Sequence, residues 1–150
     1  MDNFITYKTS SPAGDLISFL AGIKQMYKET GKKGIVYQRL EMVGMGYPDS
    51  IHPYQNQEGE PVCMTRQIFD MLVPLLRSQD YIEDYRVYNG ETVDFNFDLI
   101  RLERYTGQPN TSLSRWYSYV FPEMASDLSE PSLTVYGGEK RNKIVVNFTQ

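Results

Sequence analysis

The sequence predicts an α/β domain, Rossmann-like and three-layered, with a mainly parallel sheet. Two observations carry that. The stretch from Phe4 to Tyr27 reads as a strand (F-I-T-Y-K-T), a loop of small residues (S-S-P-A-G-D) and an amphipathic helix (L-I-S-F-L-A-G-I-K-Q-M-Y). A second apolar run, G-I-V-Y-Q-R-L, follows closely. Strand, helix and strand over so short a span form a βαβ unit, which demands a parallel pair and a right-handed crossover. At 150 residues the chain is long enough for one substantial core.

Each element has its own signal. Ile5 and Tyr7 alternate with Thr6 and Lys8, as in a half-buried strand. Leu16, Phe19, Leu20, Ile23 and Tyr27 recur at helical spacing, and Gly31 is placed to cap that helix, with Lys32 and Lys33 near its negative end. Ile35 to about Leu40 is the second strand. From Glu41 to Val62 periodicity disappears among Gly44, Gly46, Pro48, Pro53, Gly59 and Pro61, which marks a long loop. Gly44-Met45-Gly46 lacks the third glycine of a dinucleotide fingerprint, and Pro48 opposes an immediate helix.

Thr65 is placed to cap a second helix bearing Ile68, Phe69, Leu72, Leu75 and Leu76 on one face. Pro74 lies inside that pattern and is expected to kink it or end its regular hydrogen bonding. Glu83–Tyr88 is a strand, and Val93–Leu99 alternates as another, with the turn dipeptide Asn89-Gly90 between. Pattern alone leaves open whether these two pair as a hairpin or lie apart. A third helix spans Thr111 to Phe121 with Asn110 as cap, ending at Pro122, and Leu133–Tyr136 reads as a short strand. Residues 1–136 make one Rossmann-like domain. Residues 137–150 read as a linker followed by the strand K-I-V-V-N-F-T, the opening of a missing or shortened second domain.

Bulk properties exclude several classes. A net charge of -4 argues against a general nucleic-acid binder. No apolar run approaches a membrane span, and the amino end lacks a signal-peptide pattern. A single cysteine, Cys63, excludes an internal disulfide framework and suits a reducing, cytoplasmic setting. His52 is equally solitary, so no zinc set exists, and no cofactor is expected.

In open α/β sheets ligands meet the protein at the carboxyl end of a strand, beside the next helix. Here that junction is Ser10 to Asp15. Asp15 can act as a carboxylate presented to a substrate hydroxyl, against the plain alternative of a first-turn acid that complements the helix dipole. Ser10, Ser11 and nearby amides can hold an anion or a sugar hydroxyl, against ordinary loop capping. Lys8 extends toward the same space, against simple solvation. Asp94, Asn96 and Asp98 imitate half a calcium loop, but Leu99 stands where glycine is needed and Tyr105 where glutamate is needed. The polar face of a strand is the better account. Twelve tyrosines suit half-buried positions, with a sugar-stacking surface as the alternative.

At K-T-S-S-P-A-G-D-L-I-S-F-L-A-G-I-K, Lys8 to Lys24, the chain resembles the amino-terminal motif K-T-S-S-x-G-D of lipopolysaccharide heptosyltransferases, the ADP-heptose class of glycosyltransferases. The loop here is one residue longer, and Leu20-Ala21 stands where the family often has Leu-Pro. T-R-Q-I-F-D-M-L-V-P-L-L-R-S-Q-D-Y-I, V-D-F-N-F-D-L-I-R and D-L-S-E-P-S-L also resemble heptosyltransferase-like bacterial and phage proteins. The resemblance implies the amino-terminal half of a GT-B fold, with Asp15 as general base and Lys8, Ser10, Ser11 and Gly14 near substrate. It implies a carbohydrate acceptor on this domain and a nucleotide sugar on a second one, without a metal. The chain is then expected to be an excised domain, a naturally shortened relative, or a half that needs a partner chain or forms a homo-oligomer. Alone, such a domain is expected to be inactive. The alternative is a non-catalytic binding or assembly module on the same fold.

Overall fold

Alternation decides the first element. In β1 (Phe4–Thr9) Ile5, Tyr7 and Thr9 are buried while Thr6 and Lys8 are partly covered, so the strand's two faces meet different surroundings. The computed structural model describes residues 3–43, 54–102 and 113–135. After Ser10–Pro12 the chain enters α1 (Ala13–Thr30), which buries Leu16, Phe19, Leu20, Ile23 and Met26 along one stripe. Gly31 ends it in the left-handed region at φ 69°, its amide donating to the Tyr27 carbonyl at 2.8 Å.

β2 (Lys33–Gln38) pairs in parallel with β1 from Phe4↔Lys33 to Thr9↔Gln38. It starts and stops two residues earlier than the apolar run indicates, because the ladder to β1 sets its bounds. Thr65 then caps α2 (Arg66–Arg77) by accepting from the Ile68 amide at 3.4 Å. The helix runs through Pro74 to Arg77 and does not stop there. Proline lacks only its own N–H; its carbonyl still accepts, here from Ser78 at 3.2 Å.

β3 (Ile82–Val87) pairs in parallel with β2, and β4 (Phe95–Asn96) pairs in parallel with the other side of β1. The strand order is β3-β2-β1-β4. The segments flanking Asn89-Gly90 therefore lie at opposite edges and form no hairpin. The expected strand Val93–Leu99 shrinks to two residues, because Asp98 turns into the interior and α3 (Leu99–Leu102) begins directly after it. α4 (Leu113–Val120) leads into a 3-10 turn at Pro122–Met124.

The result is an α/β domain whose four-stranded, all-parallel sheet is flanked by helices, as in Rossmann-like folds. Tyr7 marks the helix-covered face: its ring and Ile23 both lie against Gly34, and it stacks on Phe95 and Phe97. On the same face Phe69 of α2 meets Tyr85 at 4.5 Å between ring centres. Phe19, Phe97, Tyr117 and Phe121 join α1 to α4. Lys8 points the other way, under the Tyr88 ring. Residues 88–94, which connect β3 to β4 across the sheet, thus pass over the face opposite the helices.

Leu133–Val135 is not a strand. The carboxamide of Gln79 accepts from the Thr134 amide at 2.9 Å and donates to the Thr134 carbonyl at 3.0 Å, supplying from a side chain what a neighbouring strand would supply. The described ends of the long loop are pinned by the antiparallel bridges Val43↔Val62 and Gln55↔Pro61. Gly44-Met45-Gly46, His52, Asn110, Tyr136 and residues 137–150 lie outside the described residues.

Candidate functional site

The strand order locates the site. From β1 the chain moves to β2 on one side, while β4 pairs on the other, so the order reverses at β1. Ligands of parallel α/β sheets sit outside the carboxyl ends of strands at such a switch point. Here the switch point holds the Ser10–Asp15 loop from β1 and residues 97–99 from β4.

Asp98 occupies its floor. The carboxylate is 7% exposed; Oδ1 accepts from the Ser10 amide at 2.6 Å, and Oδ2 accepts from Ser10 Oγ at 2.8 Å. Lys8 Nζ lies 3.1 Å from Oδ2 and 5.0 Å from the centre of the Tyr88 ring. Charge-assisted bonds of this kind are the strong ones, and burial sharpens them. The neighbouring backbone is held from the other side. Thr9 Oγ1 accepts from the Ser11 amide at 3.0 Å, and Gln38 Nε2 donates to the Ser11 carbonyl at 3.2 Å. Gln38 Oε1 in turn accepts from the Tyr85 hydroxyl at 3.2 Å, and burial pushes that phenol above its ordinary value.

These contacts fix where the two serines sit. Ser10 and Ser11 do not line an open surface: they are 1% and 0% exposed, and Ser10 spends both its donors on Asp98. The serines support the loop from beneath. Ser11 Oγ is buried and has no hydrogen-bond partner among the described residues. Gly14 and Asp15 form the outer part. Pro12 is the N-cap and offers no side-chain acceptor; Gly14 is exposed, with nothing within 4 Å of where a Cβ would lie. Asp15 is partly exposed in the first helical turn.

Lys8 and Ser10, predicted as site residues, therefore converge on a third residue that the sequence reading placed on a strand's polar face. A buried acid following D-x-N-x-D alternation carries no mark of its partners. The signal that could have found Asp98 is the mismatch between an acidic residue and its position next to the apolar Phe97 and Leu99. Among the described residues, no group of three or more His, Cys, Asp or Glu is arranged to hold a metal ion. No helix among them is long and apolar enough to cross a membrane.

Fold and site together define a Rossmann-like domain with a braced strand-loop-helix junction at its switch point. Comparison with protein-family models, with curated proteins and with solved structures finds no significant match to this chain.

Proposed function

We propose that this chain is the acceptor-side domain of a GT-B glycosyltransferase-like protein, with Asp15 as the general base. The observation that carries the reading is the pairing of a partly exposed Asp15 with an exposed Gly14 in the first turn of α1, at the switch point of a parallel sheet. The resemblance of Lys8–Lys24 to the heptosyltransferase motif supplies the reaction class.

In this reading an acceptor hydroxyl donates its proton to the Asp15 carboxylate as its oxygen attacks the anomeric carbon. The bond from that carbon to the nucleoside diphosphate breaks, and the diphosphate leaves into a second domain, the one that holds the nucleotide sugar. Gly14 keeps the approach clear, with nothing within 4 Å of where its Cβ would lie. Lys8, Ser10 and Ser11 hold the loop from below.

Titration of the isotopically labelled chain with an inner-core lipopolysaccharide oligosaccharide tests the assignment. Amide shifts are expected at Gly14 and Asp15, with no transfer from ADP-heptose by the 150-residue chain alone. Asp15→Ala is expected to remove the shifts while leaving the fold intact. A silent loop at saturating oligosaccharide would favour the non-catalytic module, and turnover by the isolated chain would overturn the division of labour.

A further inference from the structure

We propose that Asp98 is the positioning residue of the Ser10–Asp15 loop: its buried carboxylate fixes the backbone that presents Gly14 and Asp15. The inference rests on the acceptor reading for its functional consequence, but its structural arm stands without it.

Three observations meet at this carboxylate. Both oxygens are engaged by one loop residue, Oδ1 by the Ser10 amide and Oδ2 by the Ser10 hydroxyl. Two bonds from a single residue to a rigid fork fix the peptide plane and the side-chain torsion together. Lys8, 14% exposed along its side chain, is the counter-ion at 3.1 Å, so the carboxylate is held on the strand next to the loop it restrains. Asp98 also reaches the loop from a different part of the chain, 88 residues away, and so joins the exits of β1 and β4.

The opposite side of the loop is restrained by Gln38 on β2, itself held by Tyr85 on β3. Side chains from the exit of β4, from β2 and, one step removed, from β3 thus hold residues 9–11 at the end of β1, while Gly14 bonds within its own helix, its carbonyl accepting from Ser18 Oγ at 3.0 Å. That is the arrangement of a preorganised site: support beneath, and a partly exposed acid above. Were Ser10–Pro12 held only at its ends, the start of α1 would shift with it, and Asp15 in its first turn would lose the alignment a near-attack geometry requires.

Asp98→Asn keeps the shape and removes the charge, and it turns one acceptor into a donor facing Ser10 or Lys8. Hydrogen exchange of the full 150-residue chain is expected to quicken by about tenfold at residues 10–16, the factor that one charge-assisted bond carries. Exchange in α2, at Leu72 and Leu76, should stay within about threefold, well inside the range of local openings. The dissociation constant for the oligosaccharide, measured well below the unfolding transition, should rise by about tenfold. A residue of merely structural importance would lower the melting temperature and leave the folded-state constant unmoved.

Should Asp98→Asn not fold, Ser10→Ala removes one of the two loop bonds and is read the same way with a smaller expected change. Uniform quickening throughout the chain, or no change at residues 10–16, overturns the proposal. If the native chain binds no oligosaccharide, the acceptor reading fails, and the exchange arm still decides whether Asp98 orders the loop.

Discussion

Lys8, Ser11 and Asp98 are ordinary residues in composition and unusual only in where they end up. Lys8 and Asp98 form an ion pair with side chains 14% and 9% exposed. Removing one member of such a pair leaves the other charge buried without its counter-ion, which costs about 3 kcal/mol. Asp98→Ala is therefore expected to lower stability by that amount, read from the urea midpoint, and a change below about 1 kcal/mol would contradict the buried pair. Ser11 predicts the reverse sign. Its hydroxyl is buried without a partner among the described residues, so Ser11→Ala should stabilise the chain by about 1 kcal/mol. A urea midpoint that falls instead would show the hydroxyl bonded in solution and contradict the prediction.

At the scale of elements, the helices and strands follow from periodicity and caps, while their seams follow from shape. Gly22 shows the difference. It lies mid-helix in α1, where glycine is unfavourable by roughly 1 kcal/mol relative to alanine. A Cβ there would come within 2.6 Å of the Tyr117 ring, which is fully buried and bonded to Ser126 Oγ at 2.7 Å. Gly22→Ala is expected to be destabilising by about 1–2 kcal/mol despite the better helix former, because overpacking outweighs propensity. A rise in the melting temperature would mean that α4 moves away from α1 at little cost. Gln79 makes a related point: a carboxamide pairs with Thr134 in the manner of a strand, so Leu133–Val135 is extended and tethered without joining a sheet.

For the molecule as a whole, the buried tyrosines set an alkaline limit. Burial pushes the phenols of Tyr7, Tyr81 and Tyr85 above their ordinary value near 10, and Asp94 adds to the effect at Tyr7. Each folded phenol keeps its proton at a pH where the unfolded chain has released it. Above pH 10 the unfolded state therefore binds fewer protons, and stability falls as pH rises; below pH 10 these groups contribute no slope. Each tyrosine steepens the loss by up to about 1.4 kcal/mol per pH unit. Urea midpoints should be level from pH 8 to 9.5 and drop steeply from 10 to 11.5. Tyr7→Phe should flatten that drop, and an unchanged slope would remove Tyr7 from the account.

By itself the sequence determined the βαβ start, the parallel sheet, the two caps at Thr65 and Gly31, and the junction at Ser10–Asp15. All of these are local: they depend on spacing within one or two turns, or on one residue's backbone preference. Tertiary structure alone decided that β3 and β4 lie on opposite edges, that the alternating stretch after Val93 yields only two paired residues, and that Ser10 and Ser11 face inward. It also decided that Asp98 belongs to the junction. Those facts depend on groups from 27 to 88 residues apart meeting in a low-dielectric interior. There an acid is recognised by the donors around it, and no spacing along the chain records which donors those will be.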